Sequence, residues 1–405
     1  MSRLALAFRN VFRHRARSAV ALVAIAFAVV ALILAGGFIE WIFWAIREAA
    51  IQTGLGHVQI TRTGYRAHGA ADPYAYLLPA PAPELEQVRR LPEVKALARR
   101  LLFTGLASRG DTTVSFKGEG ILPDEEGVVS RIMILVSGKN LDRSDGNGLL
   151  LGQGLAKSLG AKPGDTVALL VNTPSGGINA VEGPVRGIIS NQVKAYDDVV
   201  IRLPLALAQQ LTRTHGEHVW VLALRETSLT AAAVEKLKAL LPAARFEIVP
   251  WIDLSDFYRK TVTLFGRQVA VVEWLIGFIV LFAISNTLMM GVLERTGEIG
   301  TLMAMGERSR QILHLFLTEG VLLGLIGGLI GVVVGVALAW IISAVGIPMP
   351  PPPGRTEGYS GEILLTAGLV AGAFALVAGA TVAASFYPAW KASRMVIVDA
   401  LRFNR

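Results

Sequence analysis

His215 and His218 are the only close pair among the six histidines, and two imidazoles at that spacing could share a metal ion. The polar sequence around them reads as a surface loop instead. There is no cysteine, so a disulfide framework and a thiolate metal site are both excluded. G-x-S-x-G and H-E-x-x-H are absent, and Gly138-Lys139-Asn140 lacks the preceding glycine and following hydroxyl of a Walker A loop. The Gly-rich turn at 175–177 could cradle a phosphate but reads as a hairpin loop. The expectation is no catalytic residue, no metal and no cofactor on this chain. What remains is a dense group of charged and apolar residues at 294–308, directly after a long apolar run.

The elements around that group belong in a bilayer. Of the 405 residues 53% are hydrophobic and 17% charged, too apolar for an ordinary soluble protein. A hydrocarbon core needs about 20 consecutive apolar helical residues, and four runs qualify: 18–44, 268–293, 312–345 and 363–387. The third is longer than a bilayer requires, which predicts tilting or fraying. The first is too long for a cleaved signal peptide, and Glu40, Trp41 and Trp44 follow where a small-residue cleavage site would stand.

Basic flanks set the orientation. Arg3, Arg9, Arg13, Arg15 and Arg17 precede the first run, Arg295, Arg308 and Arg310 fall between the second and third, and Lys391, Arg394, Arg402 and Arg405 follow the fourth. Only Arg355 lies between the third and fourth. Both termini and the 294–311 loop are therefore expected in the cytoplasm, and 45–267 and 346–362 outside. The net charge of +8 is accounted for by this topology, and no nucleic-acid partner is implied. Leu4, Phe8, Val11 and Phe12 share one helical face, so 1–17 reads either as an interfacial helix that steers the first span or as a plain cationic anchor.

The long stretch 45–267 is a folded domain. Strand patterns appear at 57–61, 113–117, 166–171, 185–190, 199–201 and 219–224, and helical patterns at 82–90, 154–159, 205–211 and 229–240. The fold class is thus a polytopic α-helical membrane protein with four transmembrane helices and a large mixed α/β extracytoplasmic domain, of two subdomains, between the first and second. Glycines at 320, 324 and 328, at 327, 331 and 335, and at 368 and 372 form small-residue ladders that let helices pack closely. Glu40 and Glu273 fall toward outer span ends near Arg267, while Glu319 falls in the inner half of the third span, where capping or pairing is expected.

Two motifs carry a family resemblance. Asn286 opens a stretch that continues through Glu294-Arg295-Thr296-Gly297-Glu298-Ile299-Gly300 to Ala304-Met305-Gly306, and Pro388-Ala389-Trp390-Lys391-Ala392-Ser393-Arg394 is followed by Asp399-Ala400-Leu401-Arg402. Together they resemble the FtsX/MacB-like permease family of ABC transporters. The segments from Leu149 to Gly160 and from Lys162 to Asp165 are similar to family segments in the outer domain. Without this resemblance, 294–308 reads as a capped turn with solvated charges.

The resemblance implies that 294–311 is a coupling helix receiving force from a cytoplasmic ATPase dimer, which binds ATP and Mg²⁺. Glu294, Arg295, Glu298 and Arg308 would then supply docking charges, Leu302, Met303 and Met305 apolar contact, Ile299 and Gly300 the body of the motif, and Gly306 the helix stop. It further implies a second permease copy or a homologous partner, membrane lipid around the spans, a possible periplasmic chaperone or adaptor, and a bacterial inner-membrane location. The foremost expectation is extraction of a lipidated or amphiphilic cargo, similar to lipoprotein-releasing transporters, with Phe38, Trp41, Ile42, Val272, Leu275 and Ile279 lining a cargo cavity or simply facing lipid. The alternatives are a MacB-type efflux permease, less expected because those proteins normally carry a fused ATPase ahead of the first span, and an FtsX-like activator of a cell-wall hydrolase, whose outer domain tends to be smaller.

Overall fold

The computed structural model of the chain describes residues 15–79, 82–351 and 358–397. Residues 1–14 of the expected interfacial segment 1–17, Arg355 and the closing Asp399–Arg402 motif lie outside the described residues, as do the side chains of residues 15–17. The chain forms two compact bodies, one of long helices and one of mixed α/β structure.

The helical body is built on α1 (Arg15–Ala50), α7 (Asp256–Glu294), α9 (Ser309–Val345) and α10 (Ala367–Ser393), all long and apolar enough to cross a membrane. Each helix outruns or shifts from its apolar run. α7 starts at Asp256 because nothing breaks the hydrogen-bond ladder before the apolar stretch, and α10 starts where Thr366 caps it, accepting the Leu369 N–H at 3.2 Å. Pro388 marks the expected end of the fourth span, yet α10 continues to Ser393. A proline removes one i→i−4 bond, and here the helix survives because Ala389 and Ala392 are fully buried against Val292, Ile299, Ile312 and Phe316.

The glycine ladders of α9 face two different helices. A Cβ added at Gly327, Gly331 or Gly335 would meet Ile25, Val29 or Ile33 of α1, and one added at Gly320, Gly324 or Gly328 would meet Ser385, Thr381 or Phe374 of α10. Successive ladder positions lie four residues apart, about one helical turn, so each set keeps to one face. Gly368 and Gly372 correct the expectation: nothing lies within 4 Å of either Cβ position, so they hold no helix close within the described residues.

The α/β body carries a ten-stranded sheet running β10-β1-β9-β2-β3-β8-β5-β7-β4, with β6 bridging β2 and β7. The strands are β1 (Val58–Arg62), β2 (Val94–Arg109), β3 (Thr112–Ile121), β4 (Ile134–Gly138), β5 (Leu149–Gly152), β6 (Thr166–Asn172), β7 (Ile178–Ser190), β8 (Val200–Pro204), β9 (Val219–Leu224) and β10 (Phe246–Pro250). Helices α2 (Pro83–Arg89) and α6 (Thr230–Leu240) cover a core around Trp220 and Phe246. Helices α4 (Gln153–Leu159) and α5 (Leu205–Thr212) cover a second core around Leu149, Leu169 and Ile201. The short α3 (Pro123–Val129) lies against β2.

β2 has no counterpart among the expected strands, because Lys95, Arg99, Arg100 and Arg109 interrupt its apolar pattern. Arg100 is nevertheless buried. Its Nε donates to Glu126 at 3.0 Å and its Nη1 to the Gly54 carbonyl at 2.7 Å, while Arg202 bonds Glu119 at 2.8 Å and Glu126 at 3.2 Å. Each buried charge is compensated, as burial demands.

Candidate functional site at the junction of the second and third spans

The group at 294–308 folds as a short helix clamped between two long ones. α7 ends at Glu294, and Arg295 turns the chain into α8 (Thr296–Ala304). Gly306 then stops α8 with φ +99°, its N–H bonding the Met303 carbonyl while the Glu307 N–H bonds Leu302, both at 3.1 Å. This is the paired closure that a left-handed residue permits and that a Cβ would strain. Arg308 precedes α9, where Gln311 Oε1 accepts the Arg308 N–H at 2.5 Å.

The ten expected site residues divide by face. Ile299 and Gly300 are buried, Ile299 packing with Val292, Ile312, Phe316, Ala389 and Ala392, which belong to α7, α9 and α10. Leu302 and Met303 are half-buried against the same cluster. Glu294, Glu298, Met305, Gly306 and Arg308 are exposed, Met305 at 71%. Within and just after α8, exposed residues 298, 301 and 305 follow helical spacing and form one outward face with acidic and apolar character.

Arg295 departs from its expected role. Its guanidinium turns inward, with Nη1 3.0 and 3.2 Å from the two carboxylate oxygens of Glu319 on α9. Nε lies 3.3 Å from Glu298, and the guanidinium stacks 5.3 Å from the Phe316 ring centre. An arginine meeting a carboxylate through both oxygens over an aromatic face is strongly oriented. The site is tied together: Ile299 packs α8 against α7, α9 and α10, and Arg295 links its start to Glu319 on α9.

The other candidates sort as follows. Phe38 and Trp41 of α1 stack with ring centres 6.3 Å apart, and Trp41 is 7% exposed, whereas Ile42 is half-buried. Val272, Leu275 and Ile279 fall on one exposed face of α7. Glu40 and Glu273 are exposed, with no ion pair to Arg267 among the described residues. The 175–177 turn is the loop of the β6–β7 hairpin, with Gly176 at φ +79°. His218 overturns the surface-loop expectation, being fully buried while His215 is exposed. Its Nδ1 accepts the Leu102 N–H at 3.0 Å and its Nε2 lies 3.0 Å from the Pro73 carbonyl. Burial pushes its pKa down to about 4. No cluster of three metal-ligating side chains occurs among the described residues.

Missed in the sequence was the buried charge cluster of Arg100, Arg202, Glu119 and Glu126; the only signal was an arginine pair inside an otherwise apolar stretch.

Comparison with known proteins adds family information. Residues 18–240, more than half of the chain, match the family described as MacB-like periplasmic core domain, and residues 270–397 match FtsX-like permease C-terminal. The macrolide export ATP-binding/permease protein MacB of Syntrophobacter fumaroxidans is 29% identical over 193 residues, 45% of this chain and 25% of that protein. MacB of Brucella abortus is 28% identical over 371 residues, covering 88% of this chain and 53% of that protein. The lipoprotein-releasing system transmembrane protein LolC of Neisseria meningitidis is 27% identical over 316 residues, 70% of this chain and 72% of that protein. The chain thus spans a quarter to about half the length of the MacB relatives and nearly three quarters of LolC.

Proposed function

The chain belongs to the permease family that joins a MacB-like periplasmic core domain to an FtsX-like C-terminal region, and from that membership we propose that it is the membrane subunit of an ABC transporter that extracts a lipidated or amphiphilic cargo by mechanotransmission. In this reading a separate ATPase dimer holds ATP and Mg²⁺ and docks on the exposed face of α8 through Glu298 and Met305. Two permease chains, identical or homologous, sit side by side in the bacterial inner membrane. Both termini are cytoplasmic and the α/β domain lies outside, where a chaperone or adaptor receives the cargo. The arginine-rich flanks support that orientation.

The observation that carries the reading is the packing of α8. Ile299 joins α7, α9 and α10 into one cluster while Glu298 and Met305 stay outward. Closure of an ATPase dimer on that face would shift three spans together, because close-packed cores transmit displacement instead of absorbing it. Apolar side chains such as Val272, Leu275 and Ile279 would hold an acyl chain by burial alone.

The test is purification from native membranes with its associated proteins, followed by ATPase and cargo-release assays of Glu298→Lys and Met305→Asp. The expected result is co-purification of an ATPase and acylated proteins, with the variants losing release per ATP hydrolysed. Unchanged coupling in both variants would sink the assignment of α8. The likeness to MacB over 88% of the chain favours a second reading, export of a small molecule or peptide. It predicts an adaptor protein and no acylated species in the same preparation.

A further inference from the structure

β4 ends the ten-stranded sheet. It pairs with β7 alone, Ile134 opposite Ser190 and Gly138 opposite Gly187, so its other edge has no strand partner among the described residues. All five of its residues are exposed, with Ile134, Leu135 and Val136 at 40%, 42% and 46%. Domains usually blunt such an edge with charge, proline or a short strand, since unpaired backbone beside apolar side chains recruits other strands. The register shift between Leu135 and Ser137 bends this edge without taking those three side chains out of water.

Beside the strand lies a cavity of about 180 Å³, room for one side chain. Met133, Leu135, Leu141 and Ile189 wall it, and Glu126 and Arg202, 3% and 2% exposed, reach it from the buried charge cluster. Those two charges are already matched to each other and to Ser130, and Asn140 and Arg131 complete the polar side of the lining, so the cavity accepts an apolar or hydroxyl-tipped side chain.

Charge decides the occupant. Arg143 pairs with Asp124 and Arg186 with Asp145, but Arg131 and Lys139, exposed at either end of β4, have no acidic partner among the described residues. A second copy pairing through β4 would bring these cations together, which costs association. We propose that β4 and its cavity are a docking edge for an extended segment of a partner protein, which adds as a strand, places one apolar or hydroxyl-bearing side chain in the cavity and carries acidic residues on both flanks. Main-chain bonds supply affinity and the alternate side chains supply selectivity. This inference is independent of the cargo.

The test uses the full chain in lipid nanodiscs and a labelled synthetic peptide of about ten residues with alternating Val and Thr, a central Leu and Asp-Glu at each end. Its counterpart has lysines at the ends. Fluorescence anisotropy at low salt should show the acidic peptide binding about fivefold tighter or better. Arg131→Glu with Lys139→Glu, surface changes that leave the fold intact, should reverse that preference, and Val136→Pro should abolish binding of both peptides. Equal binding of the two peptides to the unaltered chain, or none, would overturn the proposal. Self-association of the chain that Val136→Pro removes, without peptide binding, would assign the edge to a second copy and overturn it equally.

Discussion

Arg295 and Glu319, 24 positions apart, form an ion pair with both carboxylate oxygens near Nη1, and the two side chains are only 11% and 8% exposed. The end of the second span is thereby tied to the body of the third. Removing one member of such a pair leaves the other charge without compensation, a loss of roughly 3–5 kcal/mol. Glu319→Gln should therefore lower the unfolding temperature in detergent and uncouple α8 from α9. Arg295→Glu combined with Glu319→Arg should recover a measurable part of both, and an additive double variant would refute the pairing.

The glycine faces of α9 predict a contrast. A Cβ at Gly331 would stand 2.7 Å from the Val29 Cβ and 2.8 Å from the Ala26 carbonyl, so Gly331→Ala must push α1 and α9 apart. Overpacking of this kind costs about 1–3 kcal/mol. Gly372 meets nothing within 4 Å, and Gly372→Ala should be neutral or stabilise by about 0.5–1 kcal/mol through the helix propensity of alanine. Thermal denaturation of both variants in detergent distinguishes them.

Gly306 has φ +99° and open space around its Cβ position, so Gly306→Ala costs backbone strain without a clash. We expect a loss of about 1–2 kcal/mol, the penalty for a left-handed non-glycine residue. Hydrogen exchange should speed up at the Gly306 and Glu307 amides, which close α8, and leave the α/β domain unchanged.

The α/β domain should weaken as pH falls. Burial lowers the pKa of His218 from 6.5 to about 4. A group depressed in the folded state holds its full stabilising effect above its unfolded pKa and loses it as pH drops toward the folded value, here between 6.5 and about 4. By pH 5 the loss is about 2 kcal/mol, and His57, also lowered by burial, acts in the same direction. Hydrogen exchange at the Leu102 amide, bonded to His218, should quicken between pH 7 and 5 after correction for intrinsic rates; a flat profile would contradict the buried neutral imidazole.

Glu126 sets a lower window. Burial raises its pKa, but Arg100 and then Arg202 outweigh that and bring it to about 2. Its share of stability is complete above 4.5 and is lost as pH falls toward 2. Arg202→Met should cost roughly 3–5 kcal/mol at neutral pH by leaving Glu119 and Glu126 short of a partner, seen as earlier unfolding of the domain.

What could be read directly along the chain was set by local composition. Long apolar runs are read as spans because a hydrocarbon core tolerates neither charges nor unpaired backbone, and all four fold as helices long enough to cross. Gly306 after Met305 marks a helix stop, and the motifs at 294–306 and 388–394 identify the family. The extent of the helices and the direction of each side chain were settled by packing. Pro388 did not end α10, since burial of Ala389 and Ala392 outweighs one lost hydrogen bond. Arg295 turned from solvent to Glu319, β2 formed across its basic residues because Glu125, Glu126 and Asp165 wait beside it for Arg99, Arg100 and Arg109, and His218 went inside where Leu102 and Pro73 satisfy both ring nitrogens. In each case the residue type announces a charge or a donor, but its partner lies 24 to 145 positions away. Only the folded chain brings the two within hydrogen-bond distance, and that distance decides whether a polar group faces water or the interior.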